Sequence, residues 1–526
     1  MRFGPILLCA GLLAAQTQPA AQDPCRVEGT VLNSVTGEPA PRVLVTLRNV
    51  RAAPTSAGTA PTPVAASTNN EGKFVFTGLA AGSYQISAQR DNFQYIPPQR
   101  SGPLTLNAGD QKTDLVVQIT PLGAIAGHVQ NEDGDALPRV QVSVMVYQYT
   151  SAGRQLSPRN SAQTNDLGEY RIFGLVAGKY FLSATGRAVS AFADETYMVA
   201  YYPGVTDPSG ATSVDLGAGQ DMRGVDFTLR RTHAVSVRGR VVGPAGVVAV
   251  ARVNVQAIGS GSATGLATGS AADAEGRFEL RGLAPGAYTL TAQAGAGEKV
   301  YSAQRSIQIG AGDIEGIELT LAPPVELNGV VRIEGDTSVK PSQVRVSLVA
   351  LPRAFGATSN DDGTFTIRNL QPEVYRPIVN APGGGLYMKS VRCGTADVTE
   401  SGVDLTSGGG CELVITMSAN GGQVEGQVQD DKSQPAQGAM VTLVPVGARR
   451  DDLFNVAGTD TSGHFKIVGI APGSYRLYAW DGADVNAVRY DPDYVKPFEG
   501  SGQSVQVSEG GRENVSLKLI VVPAAQ

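Results

Sequence analysis

Short runs of alternating apolar and polar residues fill this chain, and no long window holds its apolar residues at helical spacing. Val43-Leu44-Val45-Thr46-Leu47, Tyr84-Gln85-Ile86-Ser87-Ala88 and Tyr475-Arg476-Leu477-Tyr478-Ala479 each put every second side chain on one face, as half-buried strands do. Clusters of Gly, Pro, Asn and Asp part the runs and read as turns. The pattern predicts an all-β protein.

The alternation is itself repeated. A turn of the form Asn/Asp-x-x-Gly-x-Phe/Tyr occurs five times, at Asn69–Phe74, Asn165–Tyr170, Asp273–Phe278, Asn360–Phe365 and Asp460–Phe465. Six residues after each Gly stands a second turn residue: Gly78, Gly174, Gly282, Asn369 and Gly469. Twelve residues after the first Gly there is a Tyr in every copy: Tyr84, Tyr180, Tyr288, Tyr375 and Tyr475. The copies recur every 87 to 108 residues, the size of a small β-sandwich and too long for a solenoid unit. Within each turn the Asn or Asp side chain is expected to fold onto the backbone two residues on, with the Gly supplying positive φ.

Upstream of each pair of turns lies Gly-x-Val, at Gly29, Gly127, Gly239, Gly329 and Gly426, opening a first strand. A closing alternating strand ends each copy: Leu115–Ile119, Val225–Leu229, Ile317–Leu321, Leu413–Met417 and Val515–Leu519. The expected architecture is a tandem string of five seven-stranded antiparallel β-sandwich domains over 25–119, 122–231, 234–322, 324–418 and 420–522. Short linkers predict an extended or gently curved row.

Gly-x-Val, Val-x-Val-x-Leu, Asn/Asp-x-x-Gly-x-Phe/Tyr and Gly-Leu-x-Pro-Gly-x-Tyr, taken together, resemble the carboxypeptidase regulatory-like domain. The resemblance runs from about Cys25 to Val522 and departs in the fourth copy, where Asn369 and Glu373 stand in place of Gly. It implies a transthyretin-like, carbohydrate-binding-like seven-stranded sandwich, and neither peptidase activity nor any one ligand.

Composition narrows the function. A length of 526 residues fits several domains at roughly 100–200 residues each. With 42% hydrophobic residues the chain is too apolar to be disordered, and a net charge of −6 argues against nucleic acid as a partner. Arg2 followed by the apolar run Ile6–Ala15 reads as a signal peptide over residues 1–21 and is too short to span a bilayer. No later window is apolar enough to cross, so the mature chain is expected to lack an integral membrane segment and to be secreted, periplasmic or held at the cell envelope. Of four cysteines, Cys9 leaves with the signal peptide and Cys25 stands alone. Cys393 and Cys411 are expected to form a disulfide worth about 3 kcal/mol.

Chemistry is sparse. None of the three His stands in a His-x-x-Glu or His-Glu-x-x-His pattern, and no nucleophile elbow or P-loop occurs. No enzyme activity, cofactor or metal site is expected. Asp361-Asp362, Asp430-Asp431 and Asp451-Asp452 are adjacent carboxylates best read as solvated turn residues. Two aromatic segments interrupt the repeat. Tyr197, Tyr201 and Tyr202 cluster in the second copy; in the fifth, the only Trp opens a stretch carrying Trp480, Tyr490, Asp491, Asp493, Tyr494 and Phe498. Rings mixed with carboxylates have the composition of a sugar site, which makes these six the candidate ligand-binding residues; the competing reading packs the rings into an end plug or a joint between copies. The function expected is an exported, non-enzymatic protein that binds carbohydrate or another envelope ligand. Its alternative is a structural spacer or protein-interaction scaffold. An exposed aromatic shelf would favour the first, buried rings the second.

Overall fold

In a computed structural model the residues described are 23–50, 63–97, 103–151, 153–186, 194–244, 247–257, 268–296, 299–351, 353–383, 385–447 and 450–522. The signal-peptide segment 1–21 lies outside them. Strand accounts for 60% and helix for 6%, so the all-β class holds. Two compact units divide the chain, one ending at Pro121 and the other running on from Leu122.

The first unit holds two four-stranded sheets. One orders Lys73–Leu79, Cys25–Asn33, Gln111–Pro121 and Phe93–Tyr95; the other orders Val64–Ser67, Leu44–Asn49, Gly82–Gln89 and Leu104–Leu106. Alternation fixes the inner face: Cys25, Val27 and Val31 are buried in one strand and Phe74 and Phe76 in its neighbour. The second unit repeats the scheme with variations. Its third-copy region carries three- and four-stranded sheets, and its fourth-copy region five- and four-stranded ones. In the fifth-copy region the strands join into a single seven-stranded sheet, because Arg512–Val521 pairs with Gly422–Gln429 along one edge and with Gly473–Asp481 along the other. Strand number therefore varies between copies among the described residues.

The repeated residues have physical reasons. Asn69 Oδ1 accepts from the N–H groups of Glu71 (3.0 Å) and Lys73 (2.8 Å), Asn165 from Leu167 (3.0 Å) and Glu169 (2.8 Å), and Asp460 from Ser462 (2.9 Å) and His464 (2.9 Å). The fourth copy does this differently: Asp362 Oδ1 accepts from Thr364 N–H at 3.0 Å. At the second turn Asn369 adopts φ 61°, beside 71–75° for Gly78, Gly174, Gly282 and Gly469, so the departure in residue type leaves the turn intact.

Each Tyr pins this second turn. Its hydroxyl donates to the carbonyl four residues upstream: Tyr84 to Ala80 (2.9 Å), Tyr180 to Val176 (2.7 Å), Tyr288 to Ala284 (2.9 Å), Tyr375 to Gln371 (3.1 Å) and Tyr475 to Ala471 (2.8 Å). Burial pushes the Tyr475 phenol up to about 12, as expected of a hydroxyl that keeps its proton to donate. Tyr475→Phe keeps the buried ring and removes that bond, and about 1 kcal/mol of stability should go with it. Denaturant unfolding followed by Trp480 fluorescence, from the same copy, measures the loss; an unchanged midpoint would show the bond to be worth nothing.

The extended row is corrected within the second unit. The strand Gln141–Thr150, from the second copy, packs against the helix Val485–Tyr490 of the fifth. The Tyr149 and Tyr494 rings meet edge to face with centroids 6.5 Å apart. Linker length restricts neighbouring copies and places no limit on contact between copies distant in sequence.

Candidate functional site

The segment after Trp480, which interrupts the repeat, folds into helix. Helix α1 spans Val485–Tyr490 and α2 spans Pro492–Val495, followed by a 3₁₀ segment Lys496–Ser501. Local chemistry accounts for both starts. Asp484 caps α1, its carboxylate accepting from Asn486 N–H (2.8 Å) and Ala487 N–H (3.3 Å). Asp491 caps α2 by accepting from Asp493 N–H (3.0 Å), with Pro492 at the first helical position. The Asp-Pro dipeptide was the available signal.

Trp480 is the principal correction. Its ring is 1% exposed, and its Nε1 donates to Thr442 Oγ1 at 2.8 Å. Tyr478 stacks on it at 5.2 Å and Phe498 meets it edge-on at 5.3 Å. Phe454, Val488, Val495 and Ile520 complete this small core, which the helices roof. A ring covered on both faces cannot stack on a sugar.

The other candidates divide. Tyr494 is half-buried, its hydroxyl accepting from Asp484 N–H at 3.3 Å while its ring faces Tyr149. Tyr490 is half-buried beside the Arg489 guanidinium, 5.5 Å from the ring centre. Arg489 also lies over Phe454 and donates to the Asp451 carbonyl. Asp491 is half-buried near the joint; burial first and then its charge raise the Tyr149 phenol above its ordinary value. Asp493 alone of the six is exposed. The second aromatic segment is treated alike: Tyr201 is buried with Met145 and Leu156, and Tyr202 packs edge-on against Phe227 at 6.1 Å.

A further joint ties the fifth copy to the fourth. The Arg450 side chain, 12% exposed, donates to the Met388 carbonyl (3.2 Å) and to Glu400 Oε1 (3.4 Å) of the fourth copy while pairing with Asp452 of its own. Of the paired carboxylates, Asp452 is thus an ion-pair partner. Asp430 closes a turn by accepting from Lys432 and Gln434 N–H groups, both at 2.9 Å.

The expected disulfide is present. Cys393 and Cys411 are bonded with Cα atoms 5.4 Å apart, fastening the end of Tyr387–Cys393 to the chain entering Leu413–Ser418, its antiparallel partner. Cys25 is a buried free thiol that donates to the Asn107 carbonyl at 2.9 Å. Among the described residues no helix is long and apolar enough to cross a membrane.

Sequence periodicity gave no hint of an open cleft of about 1480 Å³ bordered by the second, third and fourth copies. Tyr147 and Arg154 line it from the second copy, the outer face of the sheet containing Gly286–Ala296 from the third, and Arg353, Gln371 and Glu373 from the fourth.

Comparison with known proteins bears out the family resemblance over two stretches: residues 26–120 and 236–322 match the carboxypeptidase regulatory-like domain. No curated protein matches the chain. Similar solved structures include GBS52, the minor pilin of Streptococcus agalactiae, with 16% identity over 39% of this chain and 96% of that one at a TM-score of 0.23. The Bacillus anthracis TIE protein has 12% identity over 96% and 75% of the two chains at 0.17, and the shaft pilin SpaA of Lactobacillus rhamnosus GG 11% over 40% and 98% at 0.21. Scores this low carry no argument about function.

Proposed function

We propose that this protein is an exported, non-enzymatic scaffold: five tandem β-sandwich domains with the boundaries read from the sequence, the second to fifth of them clamped together as one body. The observation that carries the reading is the use made of the aromatic segment in the fifth copy. Trp480 and Phe498 are spent on a local core, and Tyr494 on a joint with Tyr149 of the second copy. Rings committed to joints build a rigid frame rather than an exposed shelf, which favours the scaffold over a sugar site at 480–498. The Cys393–Cys411 disulfide supports export, since such bonds persist in oxidising compartments.

The joint is testable on the full mature chain. In Tyr494→Ala, amide hydrogen exchange should quicken in the second-copy strand Gln141–Thr150 as well as in α1. Quickening restricted to the fifth copy would show that the two domains are not clamped. A glycan array on which the unaltered protein binds, with binding lost in Tyr490→Ala or Asp493→Ala, would restore the sugar-site reading.

A further inference from the structure

The third copy turns an unusual face toward the cleft. In the hairpin Gly286–Ala296 with Lys299–Ile309, Thr289 pairs with Ser306, Thr291 with Gln304 and Gln293 with Ser302. The residues between them, Leu290, Ala292 and Ala294, are buried in the sandwich core, so pleating sends all six polar side chains to the outer face. Opposed side chains in such a pair stand about 5 Å apart and successive rungs about 7 Å apart. The result is a ladder of uncharged hydrogen-bonding groups, each serving as donor and acceptor.

A polar outer face is ordinary for an antiparallel sheet in water. Three observations set this one apart. It is bordered by other copies on both sides. The wall contributed by the fourth copy contains two buried polar atoms with no hydrogen-bond partner among the described residues, Arg353 Nε and Gln371 Oε1, in a setting where unmade bonds cost about 1–3 kcal/mol each. Lastly, three guanidiniums line the cleft against two carboxylates, in a chain whose net charge is −6. Arg353 is matched by Glu373 and Arg154 rests on the Tyr147 ring at 4.4 Å, while Arg305, opposite core-facing Leu290, donates to the Glu318 carbonyl at 3.4 Å from the other side of the hairpin.

We propose that this cleft binds a carboxylate-bearing polysaccharide, laid along the Thr289–Gln293 and Ser302–Ser306 ladder with a carboxylate toward Arg154. The ladder suits a ligand rich in hydroxyls that give and take hydrogen bonds at short, regular intervals. The Arg154 guanidinium suits a sparse negative charge, through the forked bonds that Arg makes with carboxylates. The Tyr147 ring adds an apolar surface of the kind a sugar face covers. This site is separate from 480–498 and goes beyond the scaffold reading, although it uses the same fixed arrangement of copies.

The experiment is titration calorimetry of the full mature chain with oligogalacturonate, beside a neutral glucan oligosaccharide and polyglutamate. Oligogalacturonate should bind, and more weakly as salt is raised. Arg154→Ala should weaken it by about tenfold, and Thr291→Trp, on the exposed face, should block it. Unchanged circular dichroism and calorimetric unfolding certify that each variant folds. Absence of binding by the folded protein overturns the proposal, as does binding that neither substitution alters. Equal binding of the neutral glucan, or preference for polyglutamate, overturns the ligand class. The exchange experiment on Tyr494→Ala contains no ligand, so failure of the clamp and failure of this site are read separately.

Discussion

Trp480→Ala should destabilise the fifth copy by about 3–5 kcal/mol, the cost of emptying a large, well-packed aromatic site. The Trp480 ring is 1% exposed and its neighbours are themselves fixed, with Tyr478 in a strand and Phe498 in the 3₁₀ segment, so little can collapse into the space. Thr442 Oγ1 also loses the indole donor in the interior, where an unmade bond adds to the loss. Helices α1 and α2 lie over this core, and their amides should lose protection first. Hydrogen exchange across 485–495 and calorimetric unfolding measure both effects. An exposed sugar platform would predict nearly unchanged stability, and that result would return Trp480 to the list of binding residues.

Gly426→Ala should cost about 3 kcal/mol or more, and for a different reason. A Cβ at Gly426 would lie 1.8 Å from the Val515 carbonyl oxygen on the adjacent parallel strand and 3.2 Å from the Phe465 ring. Backbone cannot rotate aside as a side chain does, so the pairing of Gly422–Gln429 with Arg512–Val521 must open, at more than the 1–3 kcal/mol typical of an overpacked core. Every copy shares the constraint: the same methyl would stand 2.0 Å from the Val225 oxygen at Gly127 and 2.2 Å from the Leu115 oxygen at Gly29. Trp480 fluorescence in urea follows the fifth copy, and Gly458→Ala, which meets open space, serves as the control. Equal midpoints for the two variants would show that the strands accommodate the methyl.

These cases mark what sequence reading captures. The turn Asn or Asp, the second turn and the Tyr were legible because each acts within about a dozen residues of its own position. The Gly of Gly-x-Val was visible as a repeat, while its reason, a carbonyl some 80 to 100 residues away, was not. The all-β class followed from alternation. The helices after Trp480 were missed because α1 has only six residues and α2 four, too few to establish a period, and only their Asp caps and Pro492 mark them. The Tyr149–Tyr494 contact joins residues hundreds of positions apart, and a Tyr in a joint has the same letter as a Tyr in a sugar site. The cleft is harder still, because its ladder is the unremarkable polar half of an alternating strand until other copies wall it in.

One feature of the pairing bears on mechanical load. In each copy the first strand lies parallel to, and hydrogen-bonded with, the closing strand: Cys25–Asn33 with Gln111–Pro121, Gly123–Asn131 with Phe227–Leu229, Val235–Val242 with Ile314–Thr320, Val325–Glu334 with Leu413–Ser418 and Gly422–Gln429 with Arg512–Val521. Tension applied through the chain enters at the start of one strand and leaves at the end of its parallel neighbour. The force therefore runs along the strands and strains their hydrogen bonds together in shear, where a hairpin pulled from its open end would unzip rung by rung. Resistance of this kind is a matter of the unfolding rate rather than of equilibrium stability. In the first, fourth and fifth copies the closing strand is gripped along its other edge as well, by Phe93–Tyr95, Tyr387–Cys393 and Gly473–Asp481 respectively.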